Sequence, residues 1–251
     1  NDAVAARQML QPLLPIVSSA EDWHKNEGAS VTLTFTYKGL EKIGVPQESL
    51  DTFPESFKEG MAERYRFLYD IGVNDPKNWE KVFKRSHIHI AAAIIANNEE
   101  AWKSKLEEFR SKLTNNSGVE VIMSHDFAVS EEVKNVFGFR DGISNPEIEG
   151  SGIDVPPGFD RPIKAGEFIM GYPGEAGIVK PFPQPEVFGK NGSFMVFRKY
   201  QSQVAEFNQF IKENSSSPEE GELLAAKMVG RWRSGAPLVL APEKDDKELG
   251  D

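Results

Sequence analysis

Alternation of apolar and polar positions marks two segments as strands. VTLTFTY at 31–37 and SHIHIAAAIIA at 86–96 carry β-branched and apolar residues at the spacing that sends neighbouring side chains to opposite faces of a sheet. VEVIMSH at 119–125 and GSFMVFRKY at 192–200 follow the same rule and are expected to be strands as well. Helical spacing governs other stretches. AVAARQMLQPLLPIV at 3–17 predicts a helix with a proline-marked end, and NEEAWKSKLEEFRSKLTNN at 98–116 a strongly amphipathic one. In QSQVAEFNQFIKEN at 201–214, Val204, Phe207, Phe210 and Ile211 fall on one face. SPEEGELLAAKMVGRWR at 217–233 opens with proline and acids, as a helix N-terminus should, and is expected to end near Gly230. Between the first two strands, KGLEKIGVP suggests a short helix and 53–69 an inserted amphipathic segment, closed by Asn74-Asp75-Pro76.

Helix, strand, insertion, strand, helix, strand is most of a ferredoxin-like β-α-β-β-α-β unit without its first strand. A Gly- and Pro-rich stretch runs from 137 to about 192, and the strand and helix after it restart the pattern. The expectation is an α+β chain with a first ferredoxin-like domain over 1–130 and the start of a second over 131–251. Lacking the first strand of one unit and the closing elements of the other, the chain is expected to be cut at both ends.

Composition narrows the functional classes. A formal charge of -10 with no basic cluster argues against nucleic acid as a partner. The longest apolar run, Ile90–Ala96, is strand length, so no membrane partner is expected. Cysteine is absent, which removes disulfides, thiolate nucleophiles and cysteine-ligated metals. Asn-X-Ser sequons stand at Asn115, Asn191 and Asn214, but the compartment is left open.

There are four histidines. His87 and His89 share one strand face and form a candidate metal pair, although no third ligand is set by spacing and a half-polar strand face is the simpler reading. His125 precedes Asp126 at a strand end, and His24 sits beside Trp23 in a polar loop. Neither a Gly-X-Ser-X-Gly elbow nor a phosphate-cradling glycine loop occurs. Trp102 and Trp232 lie in expected helices, where core roles suit both.

FGFRDGISNPEIEG at 137–150 sets Asp141 between Gly138 and Gly142, beside Arg140 and two phenylalanines. Read alone it is turn chemistry: Asp-Gly followed by Asn-Pro. Its GFRDG also resembles the Gly-X-X-Asp-Gly signature of dye-decolourising peroxidases, haem peroxidases built from two ferredoxin-like domains of the dimeric α+β barrel type. FTYKGLEKIG at 35–44, FPESFKEGMAER at 53–64, EFIMGYPGE at 167–175, GSFMVFRKY and MVGRWRSGAPL at 228–238 are similar to segments of that family, in its order.

The resemblance implies haem b as cofactor, hydrogen peroxide as oxidant and bulky phenolic or dye-like aromatic electron donors. It implies Asp141 as the acid–base catalyst, which takes a proton from one peroxide oxygen and returns it to the other. Gly138 and Gly142 would let the haem approach, and Ile143 and Ser144 would lie along its edge. The family's axial histidine and distal arginine come after the segment matching MVGRWRSGAPL, so no metal ligand is expected in this chain. A second chain supplying that C-terminal segment is an expected partner, and the chain alone is expected to be inactive. The reading that competes is a non-catalytic ferredoxin-like module that binds a small ligand or partner, with Asp141 as a turn residue. A metal site on His87 and His89 is a third.

Overall fold

The computed structural model describes residues 3–18, 28–84, 88–113, 120–127, 133–143, 145–152 and 161–250. The chain divides into two compact units. The first holds residues 1–124 and 165–195, the second 125–164 and 196–251.

In the first unit, helix α1 (Ala3–Leu10) tightens into a 3-10 turn over Gln11–Ile16, where Pro12 and Pro15 remove the donors a longer α-helix would need. Strands β1 (Ala29–Phe35) and β2 (Ile90–Ala96) pair antiparallel, Ala29 opposite Ala96 and Phe35 opposite Ile90. Thr36 ends β1 and begins α2 (Tyr37–Lys42). Its hydroxyl donates to the Ile88 carbonyl at 2.6 Å and accepts from the Gly39 N–H at 3.0 Å, which caps the helix and ties it to the sheet. Gly39 is obligatory there, since a Cβ would collide with the His89 carbonyl.

Helices α3 (Gln47–Leu50) and α4 (Glu55–Glu63) follow. The segment expected as one amphipathic element over 53–69 is broken: Gly60 takes φ +76°, ψ 177°, and the chain turns rather than coils beyond Glu63. Leu40, Leu50 and Phe53 form the buried centre of this unit, with Phe35, Tyr37, Ile43, Val45 and Phe57 against them. Phe53 stacks on Phe57 at 4.9 Å, and Phe188 and Phe194 reach Phe53 edge-on at 6.0 and 6.4 Å. Phe188 lies in the short helix α6 (Glu186–Gly189), so the 165–195 stretch is part of this core. Helix α5 (Glu99–Leu113) has Glu99 and Glu100 in its first turn and Arg110 and Lys112 in its last, matching the macrodipole at both ends.

The second unit is built on α7 (Val204–Glu213) and α8 (Pro218–Val229). Ser217 caps α8 by accepting from Glu220 N–H, the Glu220 carboxylate accepts from Ser216 N–H at 2.6 Å, and Pro218 fills the first turn. Gly230, at φ +87°, closes the helix by donating to the Ala226 carbonyl at 2.7 Å. Phe139, Ile211 and Ala225 form one buried cluster; Ala226, Trp232, Ala236 and Ala241 form another.

The α+β class is borne out. The strands expected at 119–125 and 192–200 are not: among the described residues the sheet has two strands, and residues 120–125 and 192–200 join no ladder. Alternation supplies two faces but no partner, and Val121 and Val196 remain exposed. No helix among the described residues is long and apolar enough to cross a membrane.

Candidate functional site

The loop that carries Asp141 is a small hairpin in the second unit, organised by Asn135. Asn135 N–H donates to the Phe139 carbonyl at 2.9 Å, and its Oδ1 accepts from the N–H groups of Phe137 and Phe139 at 3.0 and 3.2 Å. An Asn oxygen that bonds the backbone two residues on is the usual nucleus of such a turn. Gly138 N–H returns to the Asn135 carbonyl at 2.9 Å, and Lys134 and Arg140 face each other across the hairpin. Phe139 anchors it: the ring is 4% exposed and packs with Ile211 and Ala225 on the helices. Phe137 meets Phe207 of α7 edge-on at 5.3 Å.

The backbone then leaves the core. Arg140 N–H donates to the Arg233 carbonyl at 3.0 Å and Asp141 N–H to the Val133 carbonyl at 2.7 Å. The Asp141 side chain is exposed, and its Oδ1 accepts from the Gly142 N–H at 2.8 Å.

The two flanking glycines differ. Both have positive φ, +85° at Gly138 and +73° at Gly142. A Cβ on Gly138 would stand 2.8 Å from Arg233 Nη1, so this glycine is required inside the fold. A Cβ on Gly142 would meet no atom within 4 Å, so the space before it is open. Ile143 is half-buried, and its Cδ1 would lie 2.5 Å from a Cβ on Gly235. Ser144 lies outside the described residues, as do His24, His87 and Asn115.

Asp141, Gly138, Gly142 and Ile143 lie together on this loop, in which the sequence assigned no part to Asn135 or Arg233. Asn135 could have been found from an Asn followed within four residues by Phe-Gly-Phe, a local turn signal. Arg233, 96 positions from Phe137, could not.

No group of three or more potential metal ligands occurs among the described residues. His89 immediately precedes β2, its carbonyl accepting from Thr36 N–H at 3.0 Å. His125 is exposed, with Phe127 edge-on at 4.7 Å. Trp232 is buried, its Nε1 donating to the Ala241 carbonyl at 2.7 Å, in keeping with a core role. Trp102 is half-buried.

The first half of this α+β chain defines its class: the family model described as the DyP dimeric alpha+beta barrel domain matches residues 3–128. The chain belongs to the dye-decolourising peroxidase family. It is 32% identical over 261 residues to a dye-decolorizing peroxidase of Mycena epipterygia, covering all of this chain and 47% of that protein. It is 29% identical to peroxidase 2 of Mycetinis scorodonius, covering all of this chain and 48% of the relative. Among solved structures, an ancestral D-type dye decolorizing peroxidase superposes with TM-score 0.80 at 29% identity, over all of this chain and 56% of the other. The chain thus spans about half the length of the curated relatives it matches. Asp141 lies beyond the stretch the family model matches and within the full-length alignments to the relatives.

Proposed function

We propose that this chain forms the peroxide-handling side of a haem peroxidase, with Asp141 as the group that moves the proton. The observation that carries the reading is the Asp141 loop: an exposed carboxylate, bonded by its neighbour's N–H, next to a glycine that faces open space. Such a surface fits the edge of a flat macrocycle. Gly142 permits close approach and Ile143 offers apolar contact, whereas Gly138 is occupied by Arg233 and is not assigned to the haem. Haem b, when bound, would supply the two electrons that cleave the O–O bond.

The chain's own contribution is proton transfer. The ionised Asp141 carboxylate accepts a proton from one oxygen of hydrogen peroxide and delivers it to the other, which leaves as water. A carboxylate suits both halves because it accepts when ionised and donates when protonated. The names of the Mycena epipterygia and Exidia glandulosa relatives point to dyes as electron donors, and bulky phenolic or dye-like aromatics are the proposed donor class. The residue that would hold the haem iron, and an arginine that would assist peroxide cleavage, are proposed to come from the part of the relatives' length that this chain does not span, on the same polypeptide or a second one.

The test is Asp141→Asn in the haem-loaded protein. Soret absorbance should be retained while the bimolecular reaction with peroxide slows by about a hundredfold or more. An unchanged rate would remove Asp141 from the reaction, and absence of haem from the complete protein would sink the peroxidase reading.

A further inference from the structure

Among the described residues, the hydrogen bond to the Asp141 carboxylate comes from Gly142 N–H, so the carboxylate goes where its backbone goes. The Val133 carbonyl accepts from Asp141 N–H, Asn135 shapes the hairpin before it, and Arg233, in the turn after α8, ties that hairpin to the helices. The Arg233 carbonyl accepts from Arg140 N–H, one residue before Asp141, at 3.0 Å. Its Nη1 donates to the Phe137 carbonyl, and its guanidinium lies 4.9 Å from the centre of the Phe139 ring. Its Nε donates at 2.8 Å to Glu222 on α8. The side chain thus holds Phe137 and Phe139, the main-chain carbonyl holds Arg140, and the Glu222 pair fixes the segment 137–140 to a helix. Gly138 leaves the room for this, since a Cβ there would press on Nη1.

We propose that Arg233 is the positioning residue for Asp141: by holding the 137–140 hairpin against α8, it sets where the Asp141 carboxylate stands. The claim rests on the proton-transfer reading above. Displacing a proton-carrying group by about 1 Å costs on the order of a hundredfold in rate. A guanidinium is suited to the task because its planar fork serves Glu222 and the Phe137 carbonyl together while its face covers Phe139. A lysine has one point of attachment and keeps only part of this.

Two readouts test it. In the full chain without haem, Arg233→Met should raise amide hydrogen exchange at Phe137, Phe139, Arg140 and Asp141 by about tenfold or more, leaving α7 and α8 protected, and Arg233→Lys should raise it less. Unchanged exchange in both variants overturns the proposal. In the haem-loaded protein, Arg233→Met should slow the peroxide reaction with Soret absorbance retained, Arg233→Lys should recover part of the rate, and Arg233→Met should add no further loss to Asp141→Asn. Additive losses, or a normal rate in Arg233→Met beside a slow Asp141→Asn, overturn the positioning role alone. An Asp141→Asn protein that reacts normally overturns both it and the proton-transfer reading.

Discussion

Gly138 and Gly142 stand four residues apart with similar φ, yet for different physical reasons. At Gly142 the whole demand is on the backbone: φ is +73° and nothing stands within 4 Å of a Cβ. Gly142→Ala is therefore expected to cost about 1–2 kcal/mol, the penalty of a left-handed L-residue. At Gly138 a Cβ must also displace Arg233 Nη1, which Phe137 and Glu222 hold in place. Gly138→Ala should lose measurably more in urea denaturation than Gly142→Ala, and equal losses would mean that Arg233 yields freely. The sequence showed both glycines and the acid between them, because a Gly-X-X-Asp-Gly string is local. It could not separate their roles. The partner that distinguishes them comes from a turn nearly a hundred residues later, and no pattern of neighbours encodes that meeting.

Elements with strong periodicity were legible for the same reason of locality. β2, α5, α7 and α8 each lie within the span their apolar spacing predicted, and β1 overlaps its expected 31–37 but begins at Ala29; the ends of α8, Ser217 and Gly230, are caps that can be read as letters. The inserted segment was not, because Gly60 breaks the helical backbone inside an otherwise amphipathic pattern. The stretches 120–125 and 192–200 have strand alternation but no ladder among the described residues, since pairing is a property of two segments and alternation of one. Helix α8 offers a test at this scale. Ser217→Ala removes its cap and should cost about 1 kcal/mol. Hydrogen bonds from the Ser216 backbone N–H and from its hydroxyl hold the Glu220 carboxyl below the ordinary 4.5. A lowered folded value means stabilisation that is present above the unfolded value and lost as pH falls through the folded one. Protection of the first-turn amides of α8 should therefore decline as pH drops below about 4.5, and Glu220→Gln should flatten that decline. A pH-independent α8 terminus in the wild-type chain would contradict it.

At the scale of the molecule, the first unit is assembled from two separate stretches, 1–124 and 165–195, and the joint between them is aromatic. Phe53, 9% exposed, is its centre: it stacks on Phe57 from α4 and meets Phe188 and Phe194 from the later stretch. Phe57 also meets Phe194 at 5.3 Å, and Gln184 N–H donates to Thr52 Oγ1 at 2.9 Å beside them, so this polar bond and three ring contacts close a loop of more than a hundred residues. Closing a long loop is entropically costly, and buried aromatic area is the favourable term of matching size here. Phe53→Ala should cost about 3–5 kcal/mol, at the upper end if the surrounding rings do not collapse into the space. The loss should appear in two places far apart in sequence, as faster amide exchange in α2 and also around Met170 and Asn191, where Asn191 N–H donates to the Met170 carbonyl and Met170 N–H to the Gly192 carbonyl to fold the later stretch. Phe53→Leu, which keeps apolar volume, should restore most of the stability and the protection at both places. Loss confined to residues before 124 would show that the 165–195 stretch holds its place without the ring cluster, and the joint would then have to be sought in its backbone bonds.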